Sequence, residues 1–222
     1  PQQNLYDLLH LYTLGATVSA QTPPLTCSSP LTKLTFPVAL KVNAPVLWNL
    51  VVLGMSVDVA FGGAFYVIVD SPLPIEGPHL PELRELGMKL KSAVEKEREI
   101  VHPVETGLQG IYGTIFRGPP RMEGATARNV TVFADAEVDR SPCGTGTCAV
   151  MAVMSQRGLL SEEDTFRHES IIGTVFEGRV LGRVRVGNLD AIIPEISGNA
   201  YITGYNTFVV DEADPVGRGF RI

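Results

Sequence analysis

The chain has 222 residues, of which 45% are hydrophobic and 19% charged, a balance typical of a folded globular protein. Its net charge of −6 argues against nucleic acids and anionic membranes as partners. Three cysteines are too few for a disulfide scaffold and favour a reducing, cytoplasmic location, and no apolar run is long enough to span a bilayer.

The first 37 residues are rich in Thr, Ser and Pro and show weak periodicity, so we treat residues 1–37 as an irregular N-terminal segment. The stretch Leu8–Ala20 has some features of the apolar part of a secretory signal. Asp7 and His10 interrupt that pattern, and no basic residue precedes it. A cytoplasmic protein is therefore the main expectation, with secretion the alternative.

The middle of the chain predicts strands and one amphipathic helix. From Val38 to Val69, β-branched and aromatic residues alternate between turn signals, which is typical of strands. Between Pro81 and Ile100, apolar residues recur at helical spacing with charges between them, which predicts a helix with a solvated face. Further strands are predicted at Gly110–Phe116, Val130–Ala134, Ile171–Phe176, Arg179–Val186, Ala191–Ile196 and Tyr201–Val210.

The most informative stretch is Asp139–Thr147, which reads Asp-Arg-Ser-Pro-Cys-Gly-Thr-Gly-Thr. It places Cys143 in a glycine-rich loop before Cys148–Gln156, which is apolar almost all round and predicts a helix packed on every side. The helix dipole should lower the pKa of a thiol there below its free value of ~8.5. The glycines let backbone N–H groups point at an anion, so the loop predicts a reactive thiol beside an anion site.

A carboxylate bound in this loop would have its charge neutralised by the backbone N–H groups. Its neighbouring Cα–H would become more acidic, because preorganised donors stabilise the developing enolate-like charge. A thiolate close by could then remove the Cα proton, or a thiol could return it. Asp139 could hold an amino or imino group of the same molecule.

Other interpretations of the loop are weaker. It lacks the Lys-Ser/Thr ending of a phosphate-binding P-loop, and Cys143 and Cys148 do not have the spacing of a metal-binding pair. A cysteine-protease nucleophile needs a histidine base, and the sequence does not place His168 nearby. Cys143 could also be a structural cysteine in a tight turn. Cys148 is interpreted as a packed small hydrophobe, and a disulfide between the two is discounted because it would distort the start of the helix.

The same nine residues resemble the C-terminal active-site motif of the proline racemase family, which includes proline racemases, 4-hydroxyproline 2-epimerases and trans-3-hydroxyproline dehydratases. Further blocks resemble family signatures and occur in the same order. They are Asp58–Tyr66, Gly118–Pro120, Ala127–Phe133, His168–Thr174 and Ala200–Gly204. The resemblance is strong from about Met55 onward and faint before it.

The resemblance implies a mechanism without cofactor or metal, in which one cysteine removes the Cα proton and a second delivers a proton to the opposite face. Cys143 would be one of these acid/base thiols. Gly144 and Thr145 would donate backbone N–H groups to the substrate carboxylate. Asp139 would bind the ring nitrogen and Phe133 would line the apolar pocket. A turn or cap role for Asp139 and a core role for Phe133 are the alternatives.

The family's other thiol lies in a Met-Cys-Gly-His-Gly-type motif, which this chain lacks. Cys27 has neither the glycines nor the histidine, so we do not accept it as a substitute. The fold implied by the resemblance is α+β: a diaminopimelate-epimerase-like lobe, with strands curled round a central apolar helix, and a partial second lobe. Residues 1–37 would be a remnant of the first lobe, 38–199 the second lobe, and 200–222 strands returning towards the first.

By this resemblance the chain is expected to be a racemase or epimerase that inverts the Cα of proline or hydroxyproline, with Cys143 as one of two bases. A trans-3-hydroxyproline dehydratase and an inactive, truncated family member are the alternatives. The expected partner is the small-molecule substrate, with neither nucleic acid nor membrane, and a homodimer is left open.

Overall fold

The computed structural model describes residues 34–38, 44–200, 207, 209–217 and 219. The expectations placed on Cys27, on the possible signal segment and on most of Tyr201–Val210 lie outside these residues. Most of the predicted end segments 1–37 and 200–222 lie outside them too, so the predicted division into lobes stays a prediction.

Within the described ranges the chain forms ten strands and two α-helices. The helices are α1 (Leu80–Glu97) and α2 (Gly144–Gln156), and neither is long and apolar enough to cross a membrane. The strands are β1 (Leu34–Val38), β2 (Ala44–Val52), β3 (Met55–Phe61), β4 (Phe65–Asp70), β5 (Ile111–Gly118), β6 (Ala127–Phe133), β7 (Glu137–Val138), β8 (Phe166–Ser170), β9 (Val175–Val186) and β10 (Leu189–Ala200).

Eight of the strands close into a barrel, in the order β2, β3, β4, β5, β6, β8, β9 and β10. Strand β10 completes the barrel because it pairs antiparallel with β9 along most of its length and with β2 through Ala191 and Pro45. Strand β1 adds to the far end of β10, and β7 forms a short pair with β6. The α+β class predicted from the sequence is therefore confirmed.

Helix α2 runs through the barrel, and every residue from Gly146 to Ser155 is buried. The predicted packing on all sides is thus confirmed, but the helix begins at Gly144 rather than at Cys148. Gly and Thr are weak helix formers, which hid this first turn from the sequence prediction. The turn forms because the chain must pass close to the barrel wall: a Cβ on Gly62 would lie 2.2 Å from the carbonyl oxygen of Thr145.

Helix α1 covers the outer face of β5 and β6, as its amphipathic pattern predicts. Its buried residues are Leu83, Gly87, Leu90 and Val94. Gly87 allows the closest approach, because a Cβ there would lie 2.9 Å from the Cβ of Val132. The hydroxyl of Thr114 donates a hydrogen bond of 2.8 Å to the Gly87 carbonyl oxygen and fixes the helix on the sheet. Strands β5 and β6 are consequently covered on both faces.

The predicted strand Ile171–Phe176 is wrong in its first half, which forms a turn between β8 and β9. Gly173 adopts a φ of 83°, and the backbone N–H of Ser170 donates to the Thr174 carbonyl across the turn. Ile172 is 63% exposed, so the apolar side chain that suggested a strand position lies in solvent at the turn. The preceding strand β8 was missed because its sequence, Phe-Arg-His-Glu-Ser, carries polar residues that are buried in the fold.

Candidate active site

Cys143 lies at the N-cap of α2, where the barrel wall meets the first turn of the helix. It is 7% exposed and has φ 64° and ψ 120°, an uncommon backbone conformation for a residue with a side chain. Such a conformation costs about 1–3 kcal/mol and persists only where the surrounding structure imposes it. The contacts of the neighbouring peptide supply that constraint.

The carbonyl oxygen of Pro142 is held by two buried side chains. Asn129 on β6 donates from Nδ2 at 2.9 Å, and the hydroxyl of Thr147 on α2 donates at 3.1 Å. The backbone N–H of Thr147 also donates to the Cys143 carbonyl at 2.8 Å. Both peptide groups flanking Cys143 are therefore fixed from the barrel wall and from the helix.

His168 on β8 extends this buried polar cluster. Its Nδ1 lies 2.9 Å from the hydroxyl oxygen of Thr147. That hydroxyl has one proton, which it donates to Pro142, so it must accept from His168 and Nδ1 must carry the ring proton. Burial, followed by the positive charge of Arg117, lowers the pKa of His168 to about 3, so the ring is neutral. Its Nε2 has no hydrogen-bond partner within the described part of the chain.

The groups around the sulfur of Cys143 have opposing effects on the pKa of the thiol. The Tyr66 hydroxyl is 3.5 Å from Sγ, and the hydroxyl of Thr145 is 4.0 Å away. The thiol is also hydrogen-bonded to the carboxylate of Asp139, and the backbone N–H of Gly146 donates to the sulfur. The pocket thus holds both donors to a thiolate and an acceptor for a thiol.

The pKa of Cys143 is raised well above its ordinary value, chiefly by burial and then by the charge of Asp139. Hydrogen bonds from Tyr66 and from the Gly146 N–H act in the opposite direction and are outweighed. The prediction that the helix N-terminus would lower this pKa is therefore wrong. Desolvation of the sulfur and a neighbouring carboxylate exceed the dipole effect, which leaves a neutral thiol.

Three aromatic rings stand in a row beside the thiol. Tyr66 packs edge-on against Tyr112 with ring centroids 5.6 Å apart, and Tyr112 stacks on Phe133 at 5.5 Å. Tyr112 reaches this place through a β-bulge: Phe65 pairs with Ile111 and Tyr66 with Gly113, so Tyr112 is the extra residue. Bulges often redirect a side chain next to an active site. Tyr66 and Phe133 are buried and Tyr112 is half-buried, so the row is an apolar layer that starts next to the sulfur.

The first turn of α2 has the features of an anion site. The N–H groups of Gly144 and Thr145 precede the first intrahelical hydrogen bond, so the helix offers them no acceptor. Both residues are half-buried, which leaves this end of the helix open on one side. Among the described residues, no three His, Cys, Asp or Glu side chains come together as metal ligands.

The structure brings together four of the residues singled out in the sequence: Cys143, Asp139, Gly144 and Thr145. Phe133 is connected to them through the rings of Tyr112 and Tyr66. The sequence did not single out Tyr66, Tyr112, Asn129 or Thr147. It named His168 only as a histidine that nothing placed near the loop, and the structure places His168 against Thr147 in the polar cluster that holds the loop. All of these residues except Tyr112 lie inside blocks that resemble family signatures, namely Asp58–Tyr66, Ala127–Phe133, Asp139–Thr147 and His168–Thr174. Their roles depend on strand pairings that one sequence does not contain.

Comparison with known proteins agrees with this geometry. The sequence model of the proline racemase family matches residues 48–221, which is most of the chain. The chain belongs to the proline racemase family. The matched range contains the whole barrel wall from Trp48 onward and the Cys143 loop.

Two curated members of the family show the range of its chemistry. The chain is 47% identical to a trans-3-hydroxy-L-proline dehydratase of Bacillus thuringiensis subsp. konkukian, over 75% of this chain and 51% of that protein. It is 39% identical to a proline racemase of Acetoanaerobium sticklandii, over 76% of this chain and 51% of that protein. The chain spans about half the length of these curated relatives.

A solved structure in the proline racemase family has the same architecture. It is a hydroxyproline epimerase from Agrobacterium vitis, with trans-4-hydroxy-L-proline bound. It superposes with a TM-score of 0.70 at 32% identity, covering 86% of this chain and 56% of the epimerase. The barrel around an apolar helix is thus an architecture that this family uses.

Proposed function

We propose that this chain carries one half of the active site of a racemase or epimerase that inverts the Cα of proline or hydroxyproline. Cys143 is the acid/base group of this half. The observation that carries the proposal is the position of its sulfur, next to the open N–H groups of α2 and to the Asp139 carboxylate. An α-amino acid has one carboxylate and one cationic nitrogen, which match these two binding groups.

Substrate binding follows from the charges at the site. The N–H groups of Gly144 and Thr145 receive the substrate carboxylate, and Asp139 pairs with the ring nitrogen. The apolar face of Phe133 and Tyr112 packs against the carbons of a pyrrolidine ring. With carboxylate and nitrogen fixed, the Cα–H bond is directed at the sulfur of Cys143.

Binding also changes the protonation of the thiol. Burial and the Asp139 charge keep the pKa of Cys143 high. A substrate ammonium that pairs with Asp139 neutralises this charge and adds a positive charge close to the sulfur. Both effects favour the thiolate. The thiolate then removes the Cα proton, while the N–H groups at the helix end stabilise the enolate-like charge on the carboxylate.

The test is exchange of the Cα proton in heavy water. The protein is incubated with L-proline, trans-4-hydroxy-L-proline or trans-3-hydroxy-L-proline, and deuterium at Cα is followed by NMR while chirality is followed by chiral chromatography. We expect Cα deuteration with at least one substrate. Deuteration with retained configuration indicates this single thiol acting alone, and deuteration with inversion indicates that a second acid is also available.

Two cysteine variants make a matched comparison, in which Cys143→Ser tests the proposed acid/base thiol and Cys148→Ala is the control. Cys143→Ser should lower the exchange rate by at least about 100-fold, because general acid–base groups typically contribute that much. Cys148→Ala should exchange at the wild-type rate, since Cys148 is fully buried and lies five positions further along the chain, inside α2. No exchange from a folded sample, or equal exchange in Cys143→Ser, rejects the proposal.

A dehydratase is the second candidate, and the 47% identity to a trans-3-hydroxy-L-proline dehydratase favours it. The same thiolate removes the Cα proton, the C3–O bond breaks, and the hydroxyl leaves as water after protonation. The resulting Cα=C3 enamine tautomerises to a cyclic imine. Loss of water from trans-3-hydroxy-L-proline, detected by mass spectrometry, together with no inversion of any substrate, would decide for this candidate.

A further inference from the structure

The hydroxyl of Tyr66 lies between two groups of the α2 N-terminus. It is 2.6 Å from the hydroxyl oxygen of Thr145 and 3.5 Å from Sγ of Cys143. Tyr66 is fully buried on β4, and its ring is held edge-on by Tyr112. The hydroxyl therefore meets the sulfur from the buried wall of the barrel rather than from the half-buried end of the helix.

The direction of these hydrogen bonds follows from the protonation state of the sulfur. A thiolate only accepts, so Tyr66 donates its single proton to the sulfur when Cys143 is ionised. The oxygen of Tyr66 is then free to accept the proton of the Thr145 hydroxyl at 2.6 Å. Burial is the main cause that raises the pKa of Tyr66 well above its ordinary value, so the hydroxyl keeps its proton at neutral pH.

Four described groups face the sulfur. Asp139 accepts from the thiol and lies in the loop before α2, Tyr66 approaches from β4, and the Gly146 N–H and the Thr145 hydroxyl belong to α2 itself. Asp139 favours the thiol, whereas Tyr66 and Gly146 favour the thiolate. When a cationic nitrogen engages Asp139, the carboxylate is no longer available to the sulfur and the two donors remain.

We propose that Tyr66 is a positioning residue for the proton transfer at Cys143. When substrate binds and its nitrogen engages Asp139, the Tyr66 hydroxyl replaces the Asp139 carboxylate as the hydrogen-bond partner of the sulfur. The inference rests on the proposed function of Cys143 and deepens it. The thiolate is held by one donor from the barrel wall and one from the helix, so its remaining lone pairs point towards the open side of the helix end. The Thr145 hydroxyl completes the chain of donors and couples it to the proposed carboxylate site.

The experiment measures alkylation of Cys143 by iodoacetamide as a function of pH, read by mass spectrometry of the peptide that contains it. Alkylation requires the thiolate, so the midpoint of the rate profile reports its formation. Tyr66→Phe should move the midpoint upward by about one pH unit and slow alkylation about tenfold below it, because a donor to the charged form is lost. Asp139→Asn should move the midpoint downward.

A matched control separates this effect from general loosening of the barrel. Thr114→Val removes another buried hydroxyl, whose 2.8 Å hydrogen bond goes to Gly87 on α1, away from the sulfur. Its alkylation profile should coincide with that of the wild type. An unchanged midpoint in folded Tyr66→Phe, or an equal upward shift in Thr114→Val, overturns the role of Tyr66.

A second measurement serves if Tyr66→Phe does not fold. Site-specific replacement of Tyr66 by 3-fluorotyrosine exchanges one ring hydrogen for fluorine, keeps the hydroxyl and makes it a stronger donor, so the midpoint should fall. No shift overturns the proposal. Alkylation needs no turnover, so these results stand apart from the Cα exchange test: lack of exchange rejects the function, and an unchanged midpoint rejects the Tyr66 role alone.

Discussion

Two sides of the barrel differ in how they are covered. The covered wall, strands β4 to β6, has α2 on its inner face and is packed on its outer face by α1 along β5 and β6, so nearly every residue of β4 and β6 is buried. The open wall, strands β9 and β10, has solvent on its outer face, and in β9 buried residues are interspersed with exposed ones. Tyr66, Tyr112, Phe133 and Asn129 all belong to the covered wall. The residues beside Cys143 and its loop thus come largely from strands that are buried on both faces.

The largest expected contrast concerns two ion pairs of β8, one that joins this strand to the covered wall and one that joins it to the open wall. Arg128 and Glu169 join β6 to β8 with side chains only 7% and 3% exposed, and Glu169 also accepts the backbone N–H groups of Arg121 and Met122. Glu169→Gln leaves the guanidinium of Arg128 buried without its counter-charge. We expect the free energy of unfolding to fall by about 3–5 kcal/mol, measured by urea denaturation.

The control is the exposed pair between Arg167 and Glu177, whose side chains are 43% and 49% exposed. Glu177→Gln should cost less than about 1 kcal/mol, because water and salt screen such pairs. Similar losses in Glu169→Gln and Glu177→Gln would show that burial does not increase the contribution of the Arg128–Glu169 pair to the free energy of unfolding.

A smaller contrast is expected from two glycines. A Cβ on Gly62 would lie 2.2 Å from the Thr145 carbonyl oxygen and 2.4 Å from the Ala149 nitrogen, both backbone atoms of α2. Gly62→Ala must therefore push the helix away from the wall and should cost about 3 kcal/mol. It should also change the alkylation rate of Cys143, since the first helical turn carries this residue.

Gly182 on the open wall is the matched position. A Cβ there meets nothing within 4 Å, so Gly182→Ala should be neutral or stabilise the protein by up to about 1 kcal/mol. Thermal and urea unfolding of both variants give the comparison. Equal stability of Gly62→Ala and wild type would contradict the close packing of α2 against the β3–β4 turn.

The third expected effect depends on pH. The pKa of His168 is lowered to about 3 in the folded protein, against an ordinary value of 6.5. Below pH 6.5 the unfolded chain binds a proton that the folded protein does not, so stability falls as the pH decreases. Between pH 7 and pH 5 this residue should account for a loss of about 2 kcal/mol in the free energy of unfolding.

His168→Asn provides the test, because an amide N–H can still donate to the hydroxyl of Thr147 but does not titrate. Its free energy of unfolding should vary less with pH than that of the wild type, by the same amount. Parallel pH curves for the two proteins would mean that His168 is not a buried neutral ring.

The parts of the fold that follow from local pattern could be predicted from the sequence. The spacing of Leu83, Leu90 and Val94 predicts α1, and the apolar run after Cys148 predicts a helix buried on all sides. The first turn of α2 could not be predicted in this way, because Gly and Thr are weak helix formers and the close approach of Gly62 joins distant parts of the chain. Strand β8 was missed because its buried charge, Glu169, is paired with a residue far away in the chain.

The same distinction holds for the candidate site. One short motif contains Cys143, Asp139, Gly144 and Thr145, so the sequence alone predicts that these residues lie close together. Tyr66 lies 77 positions before Cys143 and meets it only because β4 and the start of α2 are brought together in the barrel. The pKa of the thiol also escaped prediction, because burial and the Asp139 carboxylate outweigh the helix dipole.

The closure of the barrel by β10 has a consequence for how the chain acquires its structure. Ala191 pairs with Pro45, so the first and last strands of the barrel meet across most of the described sequence. Contacts of such long range slow folding, because the entropy of closing a large loop must be overcome before they form. Until β10 is in place, β2 and β9 present unpaired edges, and the apolar helix lacks part of its enclosure. During synthesis on a ribosome the nascent barrel is thus an incomplete sheet, open to pairing with other chains until its final strand emerges.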